Sequence, residues 1–156
     1  MPTPEVGNLK RIIDQLETIL KTITTSNSYN TNVGGVFTKI SQWLTFNDCP
    51  AIYLDYETGD DELYPGEHSK IEDGFKLYVK FRETLETDMD FNSQMAKFLR
   101  DLRTLLYKNN PTLKETATGT ALVSRMKIGK RDTNKTDFQP FGILTVNVEV
   151  TYCEDF

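Results

Sequence analysis

The sequence predicts an α+β fold in which a mainly antiparallel β-sheet carries two amphipathic helices packed on one face. Three observations lead there. Between Asp90 and Asn109, the apolar residues Phe91, Met95, Phe98, Leu99, Leu102, Leu105 and Leu106 recur at steps of three and four. Lys97, Arg100, Asp101, Arg103 and Lys108 fall between them, which is the pattern of a helix with one apolar stripe. A second stripe of this kind runs through residues Pro4 to Thr25, and two strand-like segments, Phe75 to Arg82 and Phe141 to Tyr152, alternate with a period of two. Direct antiparallel hairpins account for these strand runs without crossover helices.

Taken in order, the first helix uses Val6, Leu9, Ile12, Ile13, Leu16, Ile19, Leu20 and Ile23, with Lys10, Arg11, Asp14, Glu17 and Lys21 on its other side. Thr22-Ile-Thr-Thr and Ser26-Asn-Ser are poor helix formers and end it. Tyr29-Asn-Thr-Asn-Val-Gly-Gly is a turn-prone connector. Val36 to Leu44 mixes β-branched and aromatic residues and is expected to be a strand, with a short helix as the alternative. After the break at Asn47-Asp-Cys-Pro, Ala51 to Tyr56 is a short strand.

Glu57 to Ser69 has the composition of an exposed loop, with Gly59, Pro65, Gly66 and the carboxylates Glu57, Asp60, Asp61, Glu62 and Glu67. The next strand has the cleanest alternation. Phe75, Leu77, Val79 and Phe81 face one way, while Lys76, Tyr78, Lys80 and Arg82 face water or a neighbouring subunit. The central helix follows, with Asp88 or Asp90 as its N-cap and Pro111 forbidding its continuation. Two more strands are expected at Thr116 to Ile128 and Phe141 to Tyr152. They are joined by a polar hairpin tip or loop from Gly129 to Asp137. In the last strand Leu144, Val146, Val148, Val150 and Tyr152 share a face.

The 156 residues are expected to form a single domain, 1–156, burying roughly two-thirds of the surface of the unfolded chain. A hydrophobic content of 38% is lean, which leaves a thin core or surface reserved for partners. The net charge of -5 argues against a protein that grips duplex DNA through its phosphates. Met1-Pro-Thr-Pro-Glu lacks the basic region and apolar block of a secretion signal, so none is expected, and no apolar run is long enough to span a membrane. Cys49 and Cys153 form no CxxC pair. A reduced cytosolic setting is the default, with a disulfide between them as the minor alternative.

No residue set announces a chemistry. The acidic stretch Asp60-Asp61-Glu62 is the best metal candidate, since hard cations take clustered carboxylate oxygens, but its spacing is not that of an EF-hand and a solvated acidic loop explains it. His68 lies beside Glu67 and Glu72, yet sequence places no serine or cysteine near it, so no catalytic triad is supported. Gly34-Gly35 lacks the following residues of a phosphate-binding loop and is explained by a turn. Lys127, Lys130, Arg131 and Lys135 form a basic cluster without interleaved aromatic residues, and Asp132 and Asp137 dilute it. Trp43 and Phe46 are expected in the core or as an interface anchor, core being the commoner outcome. An open antiparallel sheet leaves strand edges that must be covered or used, and their use in subunit contacts suits a ring.

The order of elements resembles the tail terminator, or tail completion, proteins of long-tailed bacteriophages. The residues that carry the resemblance are the leading amphipathic helix, Tyr29-Asn-Thr-Asn-Val-Gly-Gly-Val, Pro50-Ala-Ile before a strand, the alternating Phe75 to Phe81, the central helix, and the closing Val146-Asn-Val-Glu-Val-Thr-Tyr. The resemblance implies a structural virion protein without enzymatic activity, metal or cofactor. Such a protein assembles as a ring, commonly a hexamer, on the last ring of the tail tube. It stops polymerisation there and offers a surface to the head connector, while DNA passes through its lumen without specific binding. The implied location is the virion tail, after assembly in the host cytoplasm and with no membrane partner. The segments 57–69 and 129–139 are the candidate axial contacts, with Asp60, Asp61, Glu62, Tyr64, Lys130, Arg131 and Lys135 as interaction residues. Another neck or baseplate component is the alternative. A small metal-dependent hydrolase using His68 and Asp60-Asp61-Glu62 comes third.

Overall fold

Five strands form one mixed, mostly antiparallel sheet in a computed structural model that describes residues 7–63, 68–83, 90–109, 113–114 and 121–155. The strands are β1 (Gly35–Phe37), β2 (Ala51–Leu63), β3 (His68–Arg82), β4 (Arg125–Asn134) and β5 (Phe141–Asp155). Their order across the sheet is β1-β2-β3-β5-β4; β1 runs parallel to β2, and every other pairing is antiparallel. The helices are α1 (Asn8–Leu20), α2 (Ile40–Thr45) and α3 (Phe91–Asn109).

The expected α+β class is the one observed, with α1 and α3 sharing a face of the sheet. Ile12, Leu16, Ile19 and Leu20 of α1 and Phe98, Leu99, Leu102, Leu105 and Leu106 of α3 form one core with Phe75, Leu77, Val79, Phe81, Leu144, Val146, Val148 and Val150. Both stripes and both alternating strands thus point where their periodicity places them. Asp90 caps α3, its Oδ1 accepting the Ser93 backbone N–H at 2.8 Å, and Glu83 accepts the Phe91 N–H. The start of α1 is capped from far along the chain: Asn8 donates its N–H to Glu154 Oε1 of β5 at 2.9 Å. That helix is shorter than expected and ends at Leu20, where the Thr22 hydroxyl donates to the Ile19 carbonyl at 2.6 Å and competes with the helical ladder. Residues 1–6 lie outside the described ones.

The expected strand Val36 to Leu44 is instead a three-residue strand followed by a helix. Ile40, Trp43 and Leu44 stand at helical spacing, and α2 turns Trp43 onto the face of the sheet opposite α1 and α3. There Trp43, Ala51 and Ile143 form a second small core with Phe37, Phe46, Tyr53, Tyr78 and Phe141. This makes β1-α2-β2 a parallel crossover, so the expectation that hairpins alone connect the strands is corrected. Gly34 is required at its entrance: a Cβ there would stand 2.0 Å from the Asp48 carbonyl oxygen.

Lys80 and Asp101 correct the expected polar faces. Lys80 is buried beneath α2 and donates from Nζ to the carbonyls of Trp43 at 2.8 Å and Phe46 at 2.5 Å, adding a charged donor at the C-terminal end of that helix. Its ammonium also stands over the Trp43 and Phe141 rings, at 5.2 and 4.9 Å. Asp101, expected on the solvated side of α3, is 2% exposed.

Two expected loops are strand. Glu57 to Leu63 continues β2, after a bulge between Tyr56 and Thr58, and pairs with β3 as far as Leu63 opposite Ser69. Polar composition suggested a loop, but β3 is central, paired along its whole length with β5 as well, and the ladder it offers outweighs local propensity. Likewise Gly129 to Asn134 belongs to β4, which begins at Arg125 and bulges between Ile128 and Arg131, leaving only 135–140 as the connection. Residues 115–120 of the expected strand lie outside the described ones.

Candidate functional site

The six expected interaction residues that the structure describes do not converge. Asp60, Asp61 and Glu62 are exposed on the outer half of β2, Lys130 and Arg131 are exposed on β4, and Lys135 follows β4 in the turn, while Tyr64 lies outside the described residues. The rung through Asp60 crosses β5 at Thr151, and the last rung of β4 crosses it at Ile143. At about 3.3 Å per residue these rungs are roughly 26 Å apart, so Lys135 belongs to the other end of the sheet. There its Nζ donates to Asn92 Oδ1 at 2.8 Å and lies 5.6 Å from the centre of the Phe91 ring. The basic cluster named in the sequence is therefore divided.

What the fold builds instead is two edges of opposite charge. β1 covers β2 only at Ala51, Ile52 and Tyr53, and among the described residues no strand pairs with the outer side of β2 from Leu54 to Leu63. That length of β2 carries Asp55, Glu57, Asp60, Asp61 and Glu62 and no cation. At the other side of the sheet, β4 is the last strand and carries Arg125, Lys127, Lys130 and Arg131 against Asp132 alone. Glu57 is 3.8 Å from Lys76 and Lys127 is 4.0 Å from Glu149, both pairs lying within the sheet. Asp60, Asp61, Glu62, Lys130 and Arg131 make no ion pair among the described residues.

Between these edges, on the sheet face that carries α2 but at the end α2 leaves uncovered, lies a shallow polar groove of about 310 Å³ lined by Asp60, Glu72, Gly74, Arg125, Lys127 and Glu149. Carboxylates and cations are mixed along it, and its floor opens at Gly74, where an added Cβ would meet nothing closer than 3.7 Å. Beneath, on the face that carries α1 and α3, the buried Asp73 carboxylate accepts the hydroxyls of Tyr56 at 2.9 Å and Tyr152 at 2.7 Å. Burial, and then the bond to Asp73, push the Tyr152 hydroxyl far above its ordinary range. Through these two bonds the trio ties β2, β3 and β5 together.

The remaining candidates are scattered. His68 opens β3 opposite Asp155, and its side chain lies outside the described ones. Cys49 and Cys153 are both free. Cys49 precedes the rung of Ala51 and Lys80, whereas Cys153 pairs with Lys70 ten residues further along β5 than Ile143, a span of roughly 33 Å that rules out a bridge within one chain. Burial pushes the Cys49 thiol up, with the Lys80 ammonium pulling the other way. Among the described residues no three His, Cys, Asp or Glu side chains stand where they share a metal ion. Trp43 is core, its Nε1–H donating to the Ala51 carbonyl at 3.0 Å. Among the described residues no helix is long and apolar enough to cross a membrane.

No family model matches the chain, and no curated protein matches it. Sequence reading does not recognise the two charged edges because each is split between an expected strand, Ala51 to Tyr56 or Thr116 to Ile128, and an expected loop. The signal was present in the unbroken sign of the charges from Asp55 to Glu62 and from Arg125 to Arg131.

Proposed function

We propose that this chain is a structural subunit of a phage tail, a terminator that closes into a ring on the end of the tail tube and offers its free side to the head connector. The observation that supports the reading best is the pair of strand edges left without a neighbour among the described residues, β2 beyond Tyr53 on one side and β4 on the other. Long open edges are a hazard unless they are used, and a contact between two different patches of one subunit, repeated by rotation, closes into a ring.

In this role the protein acts by surface rather than by bond chemistry. A ring whose one side matches the tube and whose other side does not ends polymerisation by offering the next tube subunit nothing complementary. The net charge of -5 suits a lumen through which DNA slides without sticking. Tail tube protein and head connector are the proposed partners, and the six-membered ring is the proposed assembly.

Electron microscopy of the purified protein, alone and mixed with tail tubes, tests the proposal. Rings of uniform size and capped tube ends are expected. A protein that stays monomeric at high concentration and leaves tube ends bare overturns it.

A further inference from the structure

Resting on the ring reading above, we infer that the contact between neighbouring copies is made by the acidic outer edge of β2 on one copy and the basic outer edge of β4 on the next.

Charge decides first which edges meet. A two-fold contact of β2 with β2 would oppose five carboxylates to five, and a contact of β4 with β4 would oppose four cations to four. Like charges facing across strands are destabilising, whereas opposite charges attract. The favoured contact is therefore between unlike edges, which is the head-to-tail kind that propagates around a circle.

Register points the same way. Asp60, Glu72, Thr151 and Arg125 occupy one rung across the sheet, and Thr58, Gly74, Glu149 and Lys127 occupy another. Asp55, Lys76 and Asn147 share a third, and Lys130 sits in the β4 bulge beside it. A second copy set alongside the first without a shift along the strands brings Arg125 level with Asp60, Lys127 level with Thr58 and its neighbour Glu57, and Lys130 near Asp55. A ring needs zero rise from copy to copy, and for strands running along the ring axis this is the arrangement in which the charges match. Three successive antiparallel pairings leave β2 and β4 running in opposite directions, so the two edges meet as an antiparallel pair. In this register Arg125 to Arg131 of β4 runs level with Asp60 to Leu54 of β2, so all four cations fall on the part of β2 that β1 leaves open.

The test uses two full-length variants. Asp60→Lys/Asp61→Lys/Glu62→Lys makes both edges basic, and Lys127→Glu/Lys130→Glu/Arg131→Glu makes both acidic. Sedimentation at low salt is expected to show each variant as a monomer and an equal mixture of the two as a ring, because the unlike edges then alternate between copies. Wild-type assembly is expected to weaken with added salt, as exposed charge pairs do. A circular dichroism melt on each variant confirms folding, and Asp60→Asn/Asp61→Asn/Glu62→Gln serves as a milder second variant that is expected to weaken assembly without abolishing the fold. Either reversed variant assembling alone, a mixture of folded variants that stays monomeric, or a neutralised edge that assembles as well as wild type overturns the inference. The reading beneath it fails separately: salt-sensitive, edge-matched rings that ignore tail tubes remove the terminator role, while tube capping by folded edge-reversed variants removes only the edge assignment.

Discussion

The Asp101 carboxylate accepts the Asn30 backbone N–H with both of its oxygens, each at 3.0 Å, joining α3 to the connector that follows α1. The Asn30 side-chain amide at 3.0 Å and the Thr31 hydroxyl at 2.5 Å complete the set of donors. A charge in the core is tolerable only when donors of this kind surround it. Replacing Asp101 with Ala leaves the Asn30 N–H and the Thr31 hydroxyl without their acceptor. The expected loss is roughly 1.5 to 3 kcal/mol of folding stability, the range for hydrogen bonds to a charged group. A urea midpoint that hardly moves would show that water replaces the carboxylate without cost.

Leu102 is fully buried on the same helix, whereas Tyr107 is 84% exposed. Leu102→Ala should cost roughly 2 to 5 kcal/mol through lost burial and the cavity left behind. Tyr107→Ala should stay within about 0.5 kcal/mol of wild type. Denaturant unfolding of the pair checks the assignment of the α3 faces, and equal effects would contradict it.

At Gly142 the Phe91 ring of α3 lies directly against the backbone of β5. A Cβ on this glycine would lie 2.1 Å from Cδ2 of Phe91, whose ring also packs edge-on against Phe81. Gly142→Ala is expected to push that ring aside at a cost of roughly 1 to 3 kcal/mol, the usual penalty for overfilling a packed site. A Phe91→Leu partner substitution should recover part of the loss, and thermal unfolding of the single and double variants measures it.

Alkaline stability follows from Tyr152. Its folded value is raised above the ordinary 10.0, so its contribution is complete below that value and is lost as pH rises towards the folded one. Tyr29, Tyr53 and Tyr56 are raised as well and act with the same sign. Lys80 acts in the opposite sense: burial lowers it from 10.5, so its contribution is present above that value and is lost as pH falls through the folded one. Unfolding free energy measured from about pH 9 to about pH 11 should decline, less steeply in Tyr152→Phe and more steeply in Lys80→Met. Unchanged slopes in both variants would refute these assignments.

Periodicity made the α1 and α3 stripes, the alternation of β3 from Phe75 to Phe81, and the face of β5 from Leu144 to Tyr152 legible in the sequence, because each reflects burial against one layer. What was hidden depends on partners far away in the chain. Asp101 reads as a surface charge because its donors lie 70 and 71 residues earlier, and Lys80 reads as solvated because the helix that covers it, α2, does not stand out from β1 in the sequence. The outer half of β2 has loop-like composition and becomes strand only because β3 offers a ladder already anchored by β5. The charged edges of the candidate site follow from strand order, which no local pattern encodes.

The α2 helix covers one end of its sheet face and leaves the other bare. At the covered end Ile40 and Leu44, 50% and 58% exposed, present oil to the solvent; at the bare end the surface is the mixed-charge groove around Gly74. Any circle of subunits turned about the strand direction inherits this contrast as two unlike rims. A ring of the proposed kind would carry an apolar rim and a charged one.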